Sequence, residues 1–114
     1  VQLDLKDFKH AKKYLNEALA LRRDIGEKRG IFSSLLDLGK LAFYQKDIER
    51  SAILFALSEA LLHVIGAQLP PREAKEYGSY RSDVIRKLDK KKFASIKAEA
   101  GKIPIEDAIA YALQ

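Results

Sequence analysis

The chain repeats itself at a period of 40 residues. Residues 6–26 read KDFKHAKKYLNEALALRRDIG, and residues 46–66 read KDIERSAILFALSEALLHVIG. Identical residues lie 40 positions apart at both ends of this stretch: Lys6 and Lys46, Asp7 and Asp47, Ala20 and Ala60, Leu21 and Leu61, Ile25 and Ile65, and Gly26 and Gly66. A period between about 20 and 50 residues is typical of stacked architectures, in which each unit covers the apolar face of the next.

Apolar residues recur every three or four positions along the chain, which predicts amphipathic helices and no strand. The first helix has Phe8, Ala11, Leu15 and Ala18 on one face and ends at Gly26. Five further helices are predicted: residues 28–44, 48–65 and 71–88, a shorter helix with Phe93, Ile96 and Ala100 that ends at Gly101, and a last helix from near Pro104. A glycine inside a helix costs roughly 1 kcal/mol relative to alanine. We therefore expect a neighbouring helix to approach closely at Gly39, inside the second helix.

Each period contains two helices, and its details resemble the tetratricopeptide repeat. Leu38-Gly39 matches the Leu-Gly pair in the first helix of that repeat. Positions of its second helix are matched in both copies, by Asp7, Ala11, Leu15 and Ala18 and by Asp47, Ser51, Phe55 and Ser58. The common period of the family is about 34 residues, and the longer period here resembles the version found in large bacterial signalling proteins. The resemblance implies an all-α superhelix of antiparallel helix hairpins.

The end of the chain carries a second resemblance. The segments ALLHVIGAQLPPREAKEY, from Ala60, and FASIKAEAGKIPIEDAIAYAL, from Phe93, are similar to the C-terminal region of bacterial LuxR-type, winged-helix and STAND-ATPase transcription regulators. This implies tetratricopeptide-like repeats over residues 1–68 and capping helices over residues 69–114. The apolar residues expected to form the cap are Leu88, Phe93, Ile96, Ile105 and Ile109.

The chain contains no methionine, and its first repeat begins at the second helix of the pattern. We therefore expect a fragment of a longer protein. The helix face that a preceding repeat would cover is then exposed at the N-terminal end. Such a face provides a surface for a homodimer.

Composition excludes several classes of function. There is no cysteine, and therefore no disulfide framework, thiolate metal site or thiol nucleophile. No apolar run reaches about 18 residues, and the first residues lack the features of a signal peptide. We therefore expect a cytoplasmic protein that has no membrane contact.

Catalytic and cofactor motifs are also missing. The two histidines, His10 and His63, have no ligand spacing such as HExxH, and no phosphate-binding glycine motif is present. Glu106 and Asp107 lie in the first turn of a predicted helix, where negative charge is favourable. The sequence predicts a protein that is not an enzyme and has neither a cofactor nor a metal ion.

Binding is the function that the resemblance favours. In tetratricopeptide arrays the first helix of each repeat lines the inner surface, which here implies the partner-binding residues Ser33, Leu36, Lys40, Phe43 and Tyr44. Lys40 beside the two aromatic rings suits an acidic or aromatic peptide, or another domain of the parent protein. Leu36 and Phe43 are equally compatible with core positions.

The resemblance implies the interaction or sensor end of a bacterial transcription regulator, which contacts DNA only through a separate domain. A scaffold in another signalling protein, such as a kinase or cyclase, is the first alternative. Weak nucleic-acid contact is the second, because the formal charge of +5 is concentrated in one segment. Residues 72–102 contain ten Lys or Arg and five Asp or Glu, whereas the rest of the chain has eleven of each sign. The lysines concerned are Lys87, Lys90, Lys91, Lys92 and Lys97.

The lysines Lys90, Lys91 and Lys92 are predicted to lie between two helices. Clustered lysines attract phosphate without sequence preference. The competing interpretation is a solvated, lysine-rich cap that keeps the end of the stack soluble.

Overall fold

The fold is all-α, with six helices and no strand in the part of the chain that the structure describes, residues 7–114 of a computed structural model. The helices are α1 (Phe8–Ile25), α2 (Lys28–Tyr44), α3 (Ile48–Val64), α4 (Pro71–Leu88), α5 (Lys90–Ala100) and α6 (Ile105–Ala112). All six predicted helices are confirmed, and the end of α3 differs from the prediction by one residue.

The 40-residue repeat is visible in the ends of α1 and α3. The carboxylates of Asp7 and Asp47 each accept a hydrogen bond of 3.2 Å from the backbone N–H three residues later, which caps the start of each helix. The residues Gly26 and Gly66 follow the two helices with φ angles of 78° and 66°. Glycine adopts this left-handed conformation without the steric cost that a Cβ atom imposes. The repeated residues therefore include an N-terminal cap and a terminating glycine for each of the two helices.

Short connections fold the first three helices into hairpins, with α2 packed against both α1 and α3. The helices α4 and α5 pack against α3, and α6 returns to contact α1, α2 and α3. One buried cluster includes side chains from both predicted segments, for example Leu35 and Phe55 together with Val84, Phe93 and Ala112. The two segments therefore share a single core, and the proposed boundary near residue 68 lies in the connection between α3 and α4.

The predicted close approach at Gly39 is confirmed. A Cβ atom at this position would lie 2.6 Å from two ring carbons of Phe55 in α3. The hydroxyl of Ser51 also donates a hydrogen bond of 2.8 Å to the carbonyl oxygen of Gly39. The contact with the Phe55 ring requires α2 and α3 to approach more closely than an alanine at this position would allow.

The prediction that Lys90, Lys91 and Lys92 lie between two helices is wrong. These residues form the first turn of α5, because Asp89 alone separates α4 from α5. The Asp89 carboxylate accepts a hydrogen bond of 3.2 Å from the backbone N–H of Lys91 and so caps the start of α5.

None of the helices within residues 7–114 combines the length and the hydropathy that crossing a membrane requires.

Candidate functional site

Three of the five predicted partner-binding residues line an open groove between α2 and the first half of α4. These are Ser33, Leu36 and Lys40, and the groove has a volume of about 410 Å³. Its other lining residues are Phe32, Asp37, Leu69, Glu73 and Glu76. The groove therefore has an apolar part, contributed by three side chains, and a charged part.

The other two predicted residues, Phe43 and Tyr44, pack against α4 instead of lining the groove. The hydroxyl oxygen of Tyr44 lies 2.5 Å from that of Tyr80. The Phe43 ring meets the Tyr80 ring edge to face, with centroids 5.6 Å apart. Tyr80 follows Glu76 and Tyr44 follows Lys40 by one helical turn, so this aromatic cluster lies one turn beyond the Lys40–Glu76 pair.

Lys40 is engaged within the protein. Its ammonium nitrogen lies 2.8 Å from a carboxylate oxygen of Glu76 and 5.5 Å from the centre of the Tyr80 ring. Only 16% of the Lys40 side chain is exposed, compared with 57% of the Glu76 side chain. The hydrogen bond and the charge of Lys40 hold the pKa of Glu76 below its ordinary value. Lys40 therefore ties α2 to α4 and neutralises one carboxylate of the groove.

The sequence analysis missed Asp37. Burial raises the pKa of Asp37, although the positive charges of Lys40 and Arg22 act to lower it. The groove lining contains three carboxylates, those of Asp37, Glu73 and Glu76, and one ammonium group, that of Lys40. A signal was available, because Asp37 follows Ser33 by four residues and precedes Lys40 by three, on the same helix face.

The groove continues toward the start of α2. A second depression of about 270 Å³ shares Phe32, Ser33, Leu69 and Glu73 with the first. From Gly30 to Lys40 the α2 axis rises by about 15 Å. This length accommodates four to five residues of an extended peptide, at about 3.3 Å per residue.

A partly buried ionic cluster joins α3 to α4, which forms one wall of the groove. The Tyr77 hydroxyl and the Arg81 Nε, at 2.7 Å, donate hydrogen bonds to Glu59 of α3. The ammonium of Lys97 lies 3.3 Å from the other carboxylate oxygen. Burial acts to raise the pKa of Glu59, but these donors outweigh it and hold the pKa below its ordinary value.

The five lysines predicted to contact nucleic acid do not form one surface of unpaired charges. Lys97 pairs with Glu59, and the ammonium of Lys92 lies 3.4 Å from a carboxylate oxygen of Glu49. Lys87, Lys90 and Lys91 are exposed, and within residues 7–114 they form no ion pair. Nucleic-acid contact by this segment stays a prediction.

The side chains that could bind a metal ion do not cluster in the described portion of the chain. No group of three His, Asp or Glu side chains there is close enough to hold a metal ion. The exposed His10 imidazole lies 2.5 Å from the Asp7 carboxylate, which raises the pKa of His10. This pair belongs to the cap of α1, and His63 is an exposed residue near the end of α3.

No protein-family model matches the chain, and no curated protein and no solved structure matches it. The relation to tetratricopeptide proteins and to bacterial regulators therefore stays a prediction that rests on the residues quoted above.

Proposed function

We propose that this chain is a non-enzymatic interaction module that binds a peptide segment in the groove between α2 and α4. The bound segment carries a cationic side chain, lysine or arginine, next to apolar residues. The parent protein, by the sequence resemblance, is a cytoplasmic bacterial transcription regulator with tetratricopeptide-like repeats. The bound segment belongs to a partner protein or to another domain of that parent.

The single observation that carries the proposal is the partly buried carboxylate of Asp37. An ionised carboxylate that loses water is unfavourable unless a positive charge compensates it. Lys40 gives incomplete compensation, because its ammonium is bonded to Glu76 and the pKa of Asp37 remains raised. A cationic ligand that approaches Asp37 and Glu73 supplies the missing charge.

This charge balance argues against the acidic peptide expected from Lys40 alone. In the larger depression an acidic segment would meet three carboxylates, and the ammonium group of Lys40 there is already paired. The guanidinium groups of Arg22 and Arg29 line the second depression. Charge-assisted hydrogen bonds between guanidinium and carboxylate are among the strongest in proteins. Arginine is therefore the favoured cationic side chain of the ligand.

The apolar part of the groove defines the residues beside the cation. Phe32, Leu36 and Leu69 line it, and the first two also belong to the buried core, with exposed fractions of 7% and 8%. Apolar side chains of a peptide bury against such a surface, with about 25 cal/mol gained per Å². We therefore expect leucine-like residues on one or both sides of the arginine.

In the parent regulator, this contact would act by shifting populations. A ligand changes a conformational equilibrium only when it binds one state more tightly than the other. A segment of the parent that occupies the groove in one state would be displaced when a partner binds. The scaffold alternative uses the same groove without such a change of state.

The experiment is a selection from a library of random peptides, followed by fluorescence anisotropy with individual labelled peptides. Selected sequences should be enriched in arginine or lysine flanked by apolar residues. The variant Asp37→Asn should weaken their binding about tenfold, which corresponds to about 1.4 kcal/mol. The matched control is Glu99→Gln, which removes the same charge from an exposed carboxylate of α5.

Two results would overturn the proposal. The first is a set of binding peptides without any preference for cationic residues. The second is equal loss of affinity in Asp37→Asn and Glu99→Gln, because a general effect of net charge would then explain the binding.

A further inference from the structure

An apolar stripe on α1 is exposed to solvent. Tyr14, Leu21 and Ile25 have exposed fractions of 58%, 61% and 68%. Their spacing of seven and four residues places them on one face of the helix, with the half-buried Ala18 between them. Large apolar side chains that lie together on one face, and not singly, indicate an interaction surface.

The internal repeat identifies what covers the equivalent face elsewhere in the protein. Forty residues later, Tyr14 corresponds to Leu54 and Leu21 to Leu61, whose exposed fractions are 0% and 7%. The Leu54 Cβ lies 3.4 Å from the position of a Cβ atom at Gly39, so α2 covers this face of α3. Within residues 7–114, no helix occupies the corresponding place beside α1, because its contacts are with α2 and α6.

The charges along one edge of the stripe suit an antiparallel helix of the same sequence. This edge carries His10 and Lys13 in the first half of α1, and Glu17 and Asp24 in the second half. All four side chains are exposed. An antiparallel copy related by a two-fold axis places this edge beside the same edge of its partner, so that the basic half of one lies against the acidic half of the other.

We propose that two copies of this chain pair through α1, antiparallel and about a two-fold axis that passes near Ala18. Tyr14 of one copy then packs near Leu21 of the other, and the small side chain of Ala18 allows the helices to approach closely. The surface is self-complementary, as a two-fold interface requires. The interface lies on α1, whereas the peptide groove is formed by α2 and α4, so this inference does not depend on the proposed function.

Sedimentation equilibrium of the whole chain, from low micromolar to several hundred micromolar concentration, tests the proposal. The unmodified protein should show a monomer–dimer equilibrium. Leu21→Lys should raise the dimer dissociation constant at least tenfold, because it puts a charge into the apolar centre of the interface. The matched control is Val64→Lys, since Val64 is 74% exposed and lies on α3, away from the stripe. Circular dichroism confirms that both variants remain helical.

A charge exchange tests the orientation. Lys13→Glu should weaken the dimer, and the double variant Lys13→Glu with Asp24→Lys should restore it, because antiparallel pairing brings these two positions together. A protein that remains monomeric at every concentration would overturn the proposal. So would equal dissociation constants for Leu21→Lys and Val64→Lys. Failure of the double variant to recover would exclude the antiparallel arrangement.

Discussion

The backbone of Gly39 lies against the ring of Phe55, so closely that a Cβ atom would be 2.6 Å from two ring carbons. We predict that Gly39→Ala destabilises the protein by about 1–3 kcal/mol, the usual cost of overpacking a core. Helix propensity alone predicts the opposite effect, because it favours alanine over glycine by about 1 kcal/mol. Urea unfolding followed by circular dichroism measures the difference.

The matched control for this prediction is Gly78→Ala. Gly78 also lies inside a helix, α4, but a Cβ atom there meets nothing within 4 Å. Gly78→Ala should therefore stabilise the protein by up to about 1 kcal/mol. Similar effects of the two substitutions would refute the role of the Phe55 contact. Gly39→Ala should cost less stability in a Phe55→Leu background than in the unmodified protein, because the smaller side chain leaves room for the added methyl group.

The Glu59 cluster should give the protein an acid-sensitive contribution to stability. Because the folded-state pKa of Glu59 is lowered, its carboxylate stabilises the fold above its ordinary pKa of about 4.3. This contribution disappears as the pH falls through the folded-state pKa. Glu59→Gln should therefore lower the free energy of unfolding by about 1–3 kcal/mol at pH 7, and by much less near pH 3.

Urea titrations at both pH values check this prediction, with Glu99→Gln as the control. The Glu99 carboxylate is 71% exposed, in a pair with Lys102, so its loss should have little effect at either pH. A constant difference between Glu59→Gln and the unmodified protein across this pH range would show that the charge of Glu59 is irrelevant.

Arg50 should hold the last helix in place. Its guanidinium donates hydrogen bonds of 3.1 Å and 3.0 Å to the main-chain oxygens of Ala112 and Gln114, and it lies 5.0 Å from the centre of the Tyr111 ring. A cation at this position also favours the helix dipole of α6. Arg50→Met should cost about 1.5–3 kcal/mol, as for hydrogen bonds to charged groups.

Hydrogen exchange gives a local measure of the Arg50 prediction. Amide protection in α6 should fall at least tenfold in Arg50→Met, with a smaller change in α1. The control is Arg23→Met, because within the described residues the only ion pair of Arg23 is with the exposed Asp24. Unchanged protection in α6 would contradict the anchoring role.

The ionised carboxylate of Asp37 should lower the stability of the fold and strengthen the binding of a cationic ligand. Because its folded-state pKa is raised, the protonated form is favoured by folding, and this contribution is lost as the pH rises through that pKa. Asp37→Asn should therefore be more stable than the unmodified protein at pH 7, by up to about 1 kcal/mol. Near pH 3.5 the difference should vanish. Thermal unfolding of both proteins at pH 7 and at pH 3.5 measures the two stability differences. An Asp37→Asn variant that is less stable than the unmodified protein at pH 7 would contradict the argument.

The helices were predictable from the sequence because their signals are local. The aspartates at positions 7 and 47 and the glycines at 26 and 66 mark the ends of α1 and α3, and Pro71 marks the start of α4. The unfavourable position of Gly39 inside a helix predicted the close approach of a neighbouring helix. Each of these features depends on a few neighbouring residues and on general rules of helix formation.

The site was only partly predictable, because its contacts join residues far apart in the chain. Lys40 and Glu76 are separated by 36 positions, as are Tyr44 and Tyr80. The resemblance to the tetratricopeptide repeat implied that Ser33, Leu36 and Lys40 lie together on one surface of α2. It does not state that α4 covers part of that face and provides carboxylates there. For the same reason the importance of Asp37 emerged only from its burial.

The most direct test of the central claim is an NMR titration of the ¹⁵N-labelled protein. The probe is an acetylated and amidated pentapeptide, Ala-Leu-Arg-Leu-Ala, with the glutamate version Ala-Leu-Glu-Leu-Ala as control. Saturable shifts should concentrate at the amides of α2 and α4 that border the groove, from Phe32 to Lys40 and from Leu69 to Glu76, and the glutamate peptide should give none. Equal shifts with both peptides, shifts confined to other helices, or no shifts at millimolar peptide would contradict the account.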